Sequence, residues 1–167
     1  YYGDFSGRTA SSILQLPSKD YYSMEYGDVY VAVINNGADL SAACEWLKQD
    51  AAQSTCMWKV LSIHQPPYYT NAKGGSERFH EQIPAAAEAA GIDVVFSGHD
   101  HSYARIMAKD GAAVTENGVT YFICGDLGEK SKNLNYAMTS DFSFAYKEQA
   151  YDGLICLLYT SPSPRDV

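Results

Sequence analysis

The feature that most constrains this chain is an alternation of short β-branched apolar runs with stretches of helical periodicity. Val29-Tyr30-Val31-Ala32-Val33-Ile34 is nearly continuously apolar, as a strand buried on both faces would be. With its neighbours it predicts a strand over 28–35, paired with one over 21–26 through Gly27-Asp28, a turn signal of the hairpin type. Met57 to His64 predicts a further strand, stopped by Gln65-Pro66-Pro67 because proline cannot donate to a sheet ladder. Ile92 to Phe96 and Val119 to Cys124 are two more. Between these runs, Ser41 to Gln53 places Ala43, Trp46, Leu47 and Ala51 on one stripe, with Asp39 or Ser41 as N-cap. A loop holding Gly74-Gly75 leads to a second helix from Ser76, its cap, to Ala90, with Gly91 as left-handed terminator. Strand, helix, strand, helix, strand in succession predicts an α/β layered sheet.

Charge limits the partners. The net charge of −8 argues against nucleic acid, whose phosphates want basic patches. It leaves phosphate esters open, since bound divalent cations can invert the local field. No apolar run approaches the length that spans a bilayer, so no membrane partner is expected. Cys44, Cys56, Cys124 and Cys156 fall in no CxxC pair, and no disulfide framework can be read from them. The segment Cys156 to Asp166 is similar, over eleven consecutive residues, to a translated sequencing adaptor; the alternative is a natural Ser/Pro-rich linker. Residues 1–155 are therefore read as one partial domain, 156–167 as a non-native tail, and the chain as a piece of a longer protein.

The chemistry concentrates in Gly98-His99-Asp100-His101, directly after the strand ending at Phe96. Ligand sites in α/β sheets lie at the carboxyl ends of strands. On an irregular loop two imidazoles one residue apart can share a cleft, whereas a strand would send them to opposite faces. The alternative is a pair of loop histidines that cap carbonyls or face solvent. His64 also ends a predicted strand. If the strands ending at His64 and Phe96 are parallel and joined by the helix over 76–90, their ends share one edge. His64, His99 and His101 then converge, and three neutral imidazoles suit a divalent metal.

Ser62-Ile63-His64-Gln65-Pro66-Pro67-Tyr68 and Gly91 through Arg105, with Gly98-His99-Asp100-His101 inside it, resemble the calcineurin-like metallophosphoesterases, their purple acid phosphatase branch above all. Tyr21 to Tyr30, Glu45-Trp46-Leu47 with Asp50, and Tyr121 through Lys130 are similar to neighbouring segments of that family, so the likeness runs from about Tyr21 to Asp152. The resemblance implies the C-terminal half of a layered α/β/β/α sandwich and a dinuclear metal site of iron, zinc or manganese. It implies that His64 and His99 bind one metal and His101 the other. It also implies hydrolysis of a small phosphate ester, an acid-phosphatase-like phosphomonoesterase activity, and a secreted or periplasmic location.

The family's Asp-x-His, Gly-Asp-x-x-Tyr and Gly-Asn-His motifs, which supply the bridging aspartate and most ligands of the first metal, do not occur in this chain. Gly27-Asp28 and Gly125-Asp126 resemble the second only superficially. The chain by itself is thus expected to be inactive, and its sheet to expose an unpaired edge. Asp100 is read as orienting one imidazole or capping its loop. Tyr68 is a candidate for the substrate cleft, although with fourteen tyrosines in the chain packing is its alternative use. His80 is expected on a solvated helix face. The rival from another class is a noncatalytic binding module holding one structural metal or none.

Overall fold

The computed structural model describes residues 18–72, 75–125 and 138–148; the predicted tail over 156–167, Gly74 and Asp126 lie outside them. In chain order the elements are β1 (Tyr21–Tyr26), β2 (Val29–Ile34), α1 (Leu40–Ala51), β3 (Trp58–Ile63), α2 (Glu77–Ala89), β4 (Val94–Ser97), β5 (Tyr103–Lys109), β6 (Ala112–Ala113), β7 (Val119–Cys124) and β8 (Tyr146–Glu148). They build one mixed sheet of order β1-β2-β3-β4-β7-β5-β6, with β8 added to β5. Strands β2, β3, β4 and β7 are parallel, and β1 and β5 run antiparallel to their neighbours β2 and β7.

Local chemistry explains the boundaries. Gly27 takes φ +58° and closes the β1–β2 turn. The Asp39 side chain accepts from the Ala42 N–H at 3.1 Å, which caps α1. Gly91, at φ +67°, ends α2. Its N–H donates to the Glu88 carbonyl at 3.0 Å, and Ile92 N–H donates to the Ala87 carbonyl at 2.9 Å, the paired bonds of a Schellman motif. The other end of α2 departs from expectation. Ser76 stands at the N-cap position with helical φ −92° and ψ −2° and makes no side-chain cap bond. Its hydroxyl is buried without a partner among the described residues.

Both β–α–β crossovers step the same way along the sheet, so right-handed connections put α1 and α2 on the same face. The core lies between that face and the helices, built from Tyr30, Ala32, Leu61 and Val95 below and Leu47, Phe79, Ile83 and Ala87 above. β2 is consequently not buried on both sides. Tyr30, Ala32 and Ile34 are buried, whereas Val29, Val31 and Val33 on the opposite face are only half-buried. This is one helical layer on one sheet, half of the α/β/β/α arrangement. No helix among the described residues is long and apolar enough to cross a membrane.

Candidate metal centre

The parallel register of β3 and β4 sets Ser62 beside Phe96. Two residues further along each strand, Gly98 N–H donates to the His64 carbonyl at 3.0 Å, carrying the ladder past the strand ends. His64 and His99 thereby arrive at one rim.

The turn that carries His99 has to bridge a strand. β4 and β5 lie on either side of β7, so residues 98–102 cross the carboxyl end of β7. The crossing is close. A Cβ at Gly125 would stand 1.9 Å from the Asp100 carbonyl oxygen, and Gly125 N–H donates to the Ser102 carbonyl at 3.3 Å. Within the turn Asp100 N–H reaches the Gly98 carbonyl at 2.7 Å, and Ser102 N–H the Asp100 carbonyl at 2.6 Å. His99 is the centre of the first three-residue turn and holds φ +64°, a conformation that costs a non-glycine residue about 1–3 kcal/mol.

The surroundings offset that strain. Asp100 is fully buried, at 0% exposure. Its Oδ2 accepts from Thr70 N–H at 2.6 Å, Thr70 Oγ1 at 3.0 Å and Asn71 N–H at 3.2 Å. Thr70 Oγ1 also lies 2.9 Å from Ser102 Oγ, and both residues are buried. The carboxylate therefore caps the 70–71 loop, a segment other than its own turn.

The imidazoles meet outside this buried network. His99 Nδ1 and His64 Nε2 are 3.3 Å apart, with ring centroids at 5.2 Å and planes at 81°. His64 is exposed; His99 and His101 are half-buried. Partial burial first, and then the nearby charges of His99 and His101, hold His64 below the ordinary imidazole value of 6.5. Its ring is accordingly neutral at pH 7, with a lone pair to offer. Two nitrogens bound tetrahedrally to one zinc at about 2.0–2.1 Å each would stand about 3.3–3.4 Å apart, so the spacing, here closed by a hydrogen bond between the two rings, matches two corners of such a site. It does not complete one. Among the described residues no three His, Cys, Asp or Glu side chains are grouped to hold a metal ion. A groove of about 710 Å³ opens beside His64, lined also by Asn35, Ser62, Gly98 and Cys124.

Of the two uses weighed for Tyr68 packing is the one observed, and the expectation for His80 changes. Tyr68 is only 2% exposed and packs edge-on against Tyr121, His80 and Phe142, in the core. Burial pushes its phenol up to about 12. His80 is not on a solvated face. It lies against Tyr68 and Phe142, with Nδ1 3.1 Å from the Pro67 carbonyl oxygen. Sequence reasoning passed over Thr70, Ser102 and Gly125, whose roles depend on contacts between distant segments. The one local signal was the glycine directly after a β-strand.

No protein-family model matches the chain. It is similar to purple acid phosphatase 22 of Arabidopsis thaliana, 30% identical over 118 residues that make up 66% of this chain and 27% of that protein. Purple acid phosphatase 15 of the same plant is 32% identical over 120 residues, 67% of this chain and 23% of that protein. The chain thus spans about a quarter of the length of the curated relatives it matches. Among solved structures, a purple acid phosphatase from yellow lupin (Lupinus luteus) seeds superposes with a TM-score of 0.63 at 16% identity, over 91% of this chain and 33% of that one. GAP50, the anchor in the inner membrane complex of Plasmodium, superposes with a TM-score of 0.50 at 13% identity, over 77% of this chain and 42% of that one. Sequence and fold converge, and the chain is purple-acid-phosphatase-like, similar to a C-terminal part of those proteins.

Proposed function

We propose that this chain carries the histidine-bearing part of a metal-dependent phosphoric ester hydrolase acting on small phosphomonoesters. The observation that carries this reading is the 3.3 Å approach of His64 Nε2 to His99 Nδ1, a spacing suited to one shared cation. His64 and His99 would hold that ion and His101 would serve a second, with iron, zinc or manganese as the metals. Once bound, such ions lower the pKa of water and clamp the ester oxygens. The chain's own residues keep one imidazole neutral, fix the pair at the strand ends and leave a groove beside them for a small ester. The remaining ligands belong to motifs that this sequence does not contain, so the 167 residues alone are inactive and the whole protein is the enzyme. A secreted or periplasmic location belongs to the same proposal.

The rival is a noncatalytic module with one metal or none. A protein described as an anchor shares the fold, and that likeness favours the rival. Cation titration separates the two readings. The 167-residue chain should bind cobalt(II) weakly, lose it on His64→Ala or His99→Ala, and show no metal-dependent turnover of p-nitrophenyl phosphate. In the complete protein His99→Ala should release two metal equivalents together. One tightly held zinc that survives that substitution would establish the module instead.

A further inference from the structure

The acid between the two motif histidines turns away from solvent, which is an unusual place for a carboxylate. Asp100 is 0% exposed, while His99 and His101 on either side are half-buried. Buried carboxylates need partners, and those of Asp100 lie on another segment, the loop that continues from His64. Thr70 N–H, Thr70 Oγ1 and Asn71 N–H all converge on Oδ2. Ser102 Oγ, two residues beyond Asp100, meets Thr70 Oγ1 at 2.9 Å, so the turn is held at two points. On the other side of the imidazole pair, Gly98 N–H binds the His64 carbonyl at 3.0 Å. The two histidines thus sit between a backbone bond and a buried charge-assisted cluster, and His99 keeps its φ of +64° inside that frame.

We infer that Asp100 is a positioning residue: through Thr70 and Asn71 it locks the loop after His64 to the turn after β4, holding the two imidazoles at the separation one cation requires. It touches neither metal nor substrate in this role. The inference rests on the metal-site reading above, but the clamp itself exists without metal, and that separates the two in a test.

The first arm uses the metal-free 167-residue chain. Ring-to-ring nuclear Overhauser contacts between His64 and His99 are expected in the parent, retained in Asp100→Asn, whose amide oxygen can still accept from the loop, and lost in Asp100→Ala. The second arm measures cobalt(II) affinity and its visible d–d spectrum. Asp100→Ala should weaken binding about tenfold or more and shift the spectrum, whereas Asp100→Asn should stay within about threefold of the parent. Thr70→Val, which removes the hydroxyl's contacts to Asp100 and Ser102 but keeps the backbone N–H bond, covers the case in which Asp100→Ala fails to fold, and should weaken binding about threefold. Asp50→Ala, remote from the rim, is the control for destabilisation and should leave affinity unchanged. A folded Asp100→Ala chain with the parent's ring contacts and cobalt affinity overturns the inference. If the parent binds no cobalt but Asp100→Ala still loses the ring contacts, the clamp stands and the metal reading falls.

Discussion

Gly125 lies so close to the carbonyl of Asp100 that a methyl group at position 125 would stand 1.9 Å from that oxygen. The obstacle is backbone, which cannot swing aside as a flexible side chain can. Gly125→Ala is therefore expected to destabilise the chain by about 1–3 kcal/mol. Gly37→Ala, where a Cβ meets nothing within 4 Å, should stay within about 0.5 kcal/mol of the parent. Urea midpoints of the two variants check the contrast.

The two helix caps should respond in opposite ways. Asp39→Ala removes the carboxylate that accepts from Ala42 N–H and is expected to cost about 1 kcal/mol. Ser76→Ala removes a buried hydroxyl with no partner among the described residues, and is expected to be neutral or slightly stabilising. Thermal melts of both variants beside the parent provide the measurement, and a loss at Ser76 as large as that at Asp39 would contradict the cap assignment.

Tyr30 ties the sheet to α1. Its hydroxyl donates to Asp50 Oδ2 at 2.8 Å, which also accepts from Ser23 Oγ at 2.5 Å. Burial and the neighbouring Asp50 carboxylate raise the phenol well above its ordinary value. Asp50→Ala takes the carboxylate acceptor from that buried hydroxyl, leaving it only Ser23, and should cost about 1–3 kcal/mol, against about 0.5–1.5 kcal/mol for Tyr30→Phe. In the double variant the two losses should fall short of additivity, because they remove one shared bond.

His64 makes stability depend on pH in a defined direction. Its folded value lies below 6.5, so between that lowered value and 6.5 the unfolded chain binds more protons than the folded one. Stability therefore rises with pH through this window and falls as the solution is acidified below 6.5. Nuclear magnetic resonance titration should place the His64 midpoint below 6.5, and His99→Ala should raise it only part of the way, since burial is the larger cause. Replacing His64 by Asn should remove this component of the urea-stability profile.

Where the sequence was legible, one local pattern carried the information. The apolar runs of β2, β3, β4 and β7 and the stripes of both helices lie within a few residues of their predicted limits. The shared rim of His64 and His99 followed from parallel strands joined by a helix. β5 was missed although Ala104, Ile106 and Ala108 alternate as buried residues, a period-two signal overlooked beside the histidine motif. β6 and β8 are two and three residues long, all exposed, and carry no pattern to read. His80 looked solvated because its partner Phe142 comes from a distant stretch without periodicity. The loop held by Asp100 was hidden for the same reason, since Thr70 lies thirty positions away.

The bridge from β4 to β5 over β7 has a consequence for the order of assembly. Residues 98–102 join two strands that never pair with each other, and the strand that fills the gap is synthesised after both. No local hairpin can nucleate there, and the histidine turn must wait for residues 119–124 to slot between its neighbours before the bond from Gly125 N–H to the Ser102 carbonyl can brace it. On a growing polypeptide the histidine-bearing corner is thus among the late arrivals, although its residues emerge well before the strand that completes it.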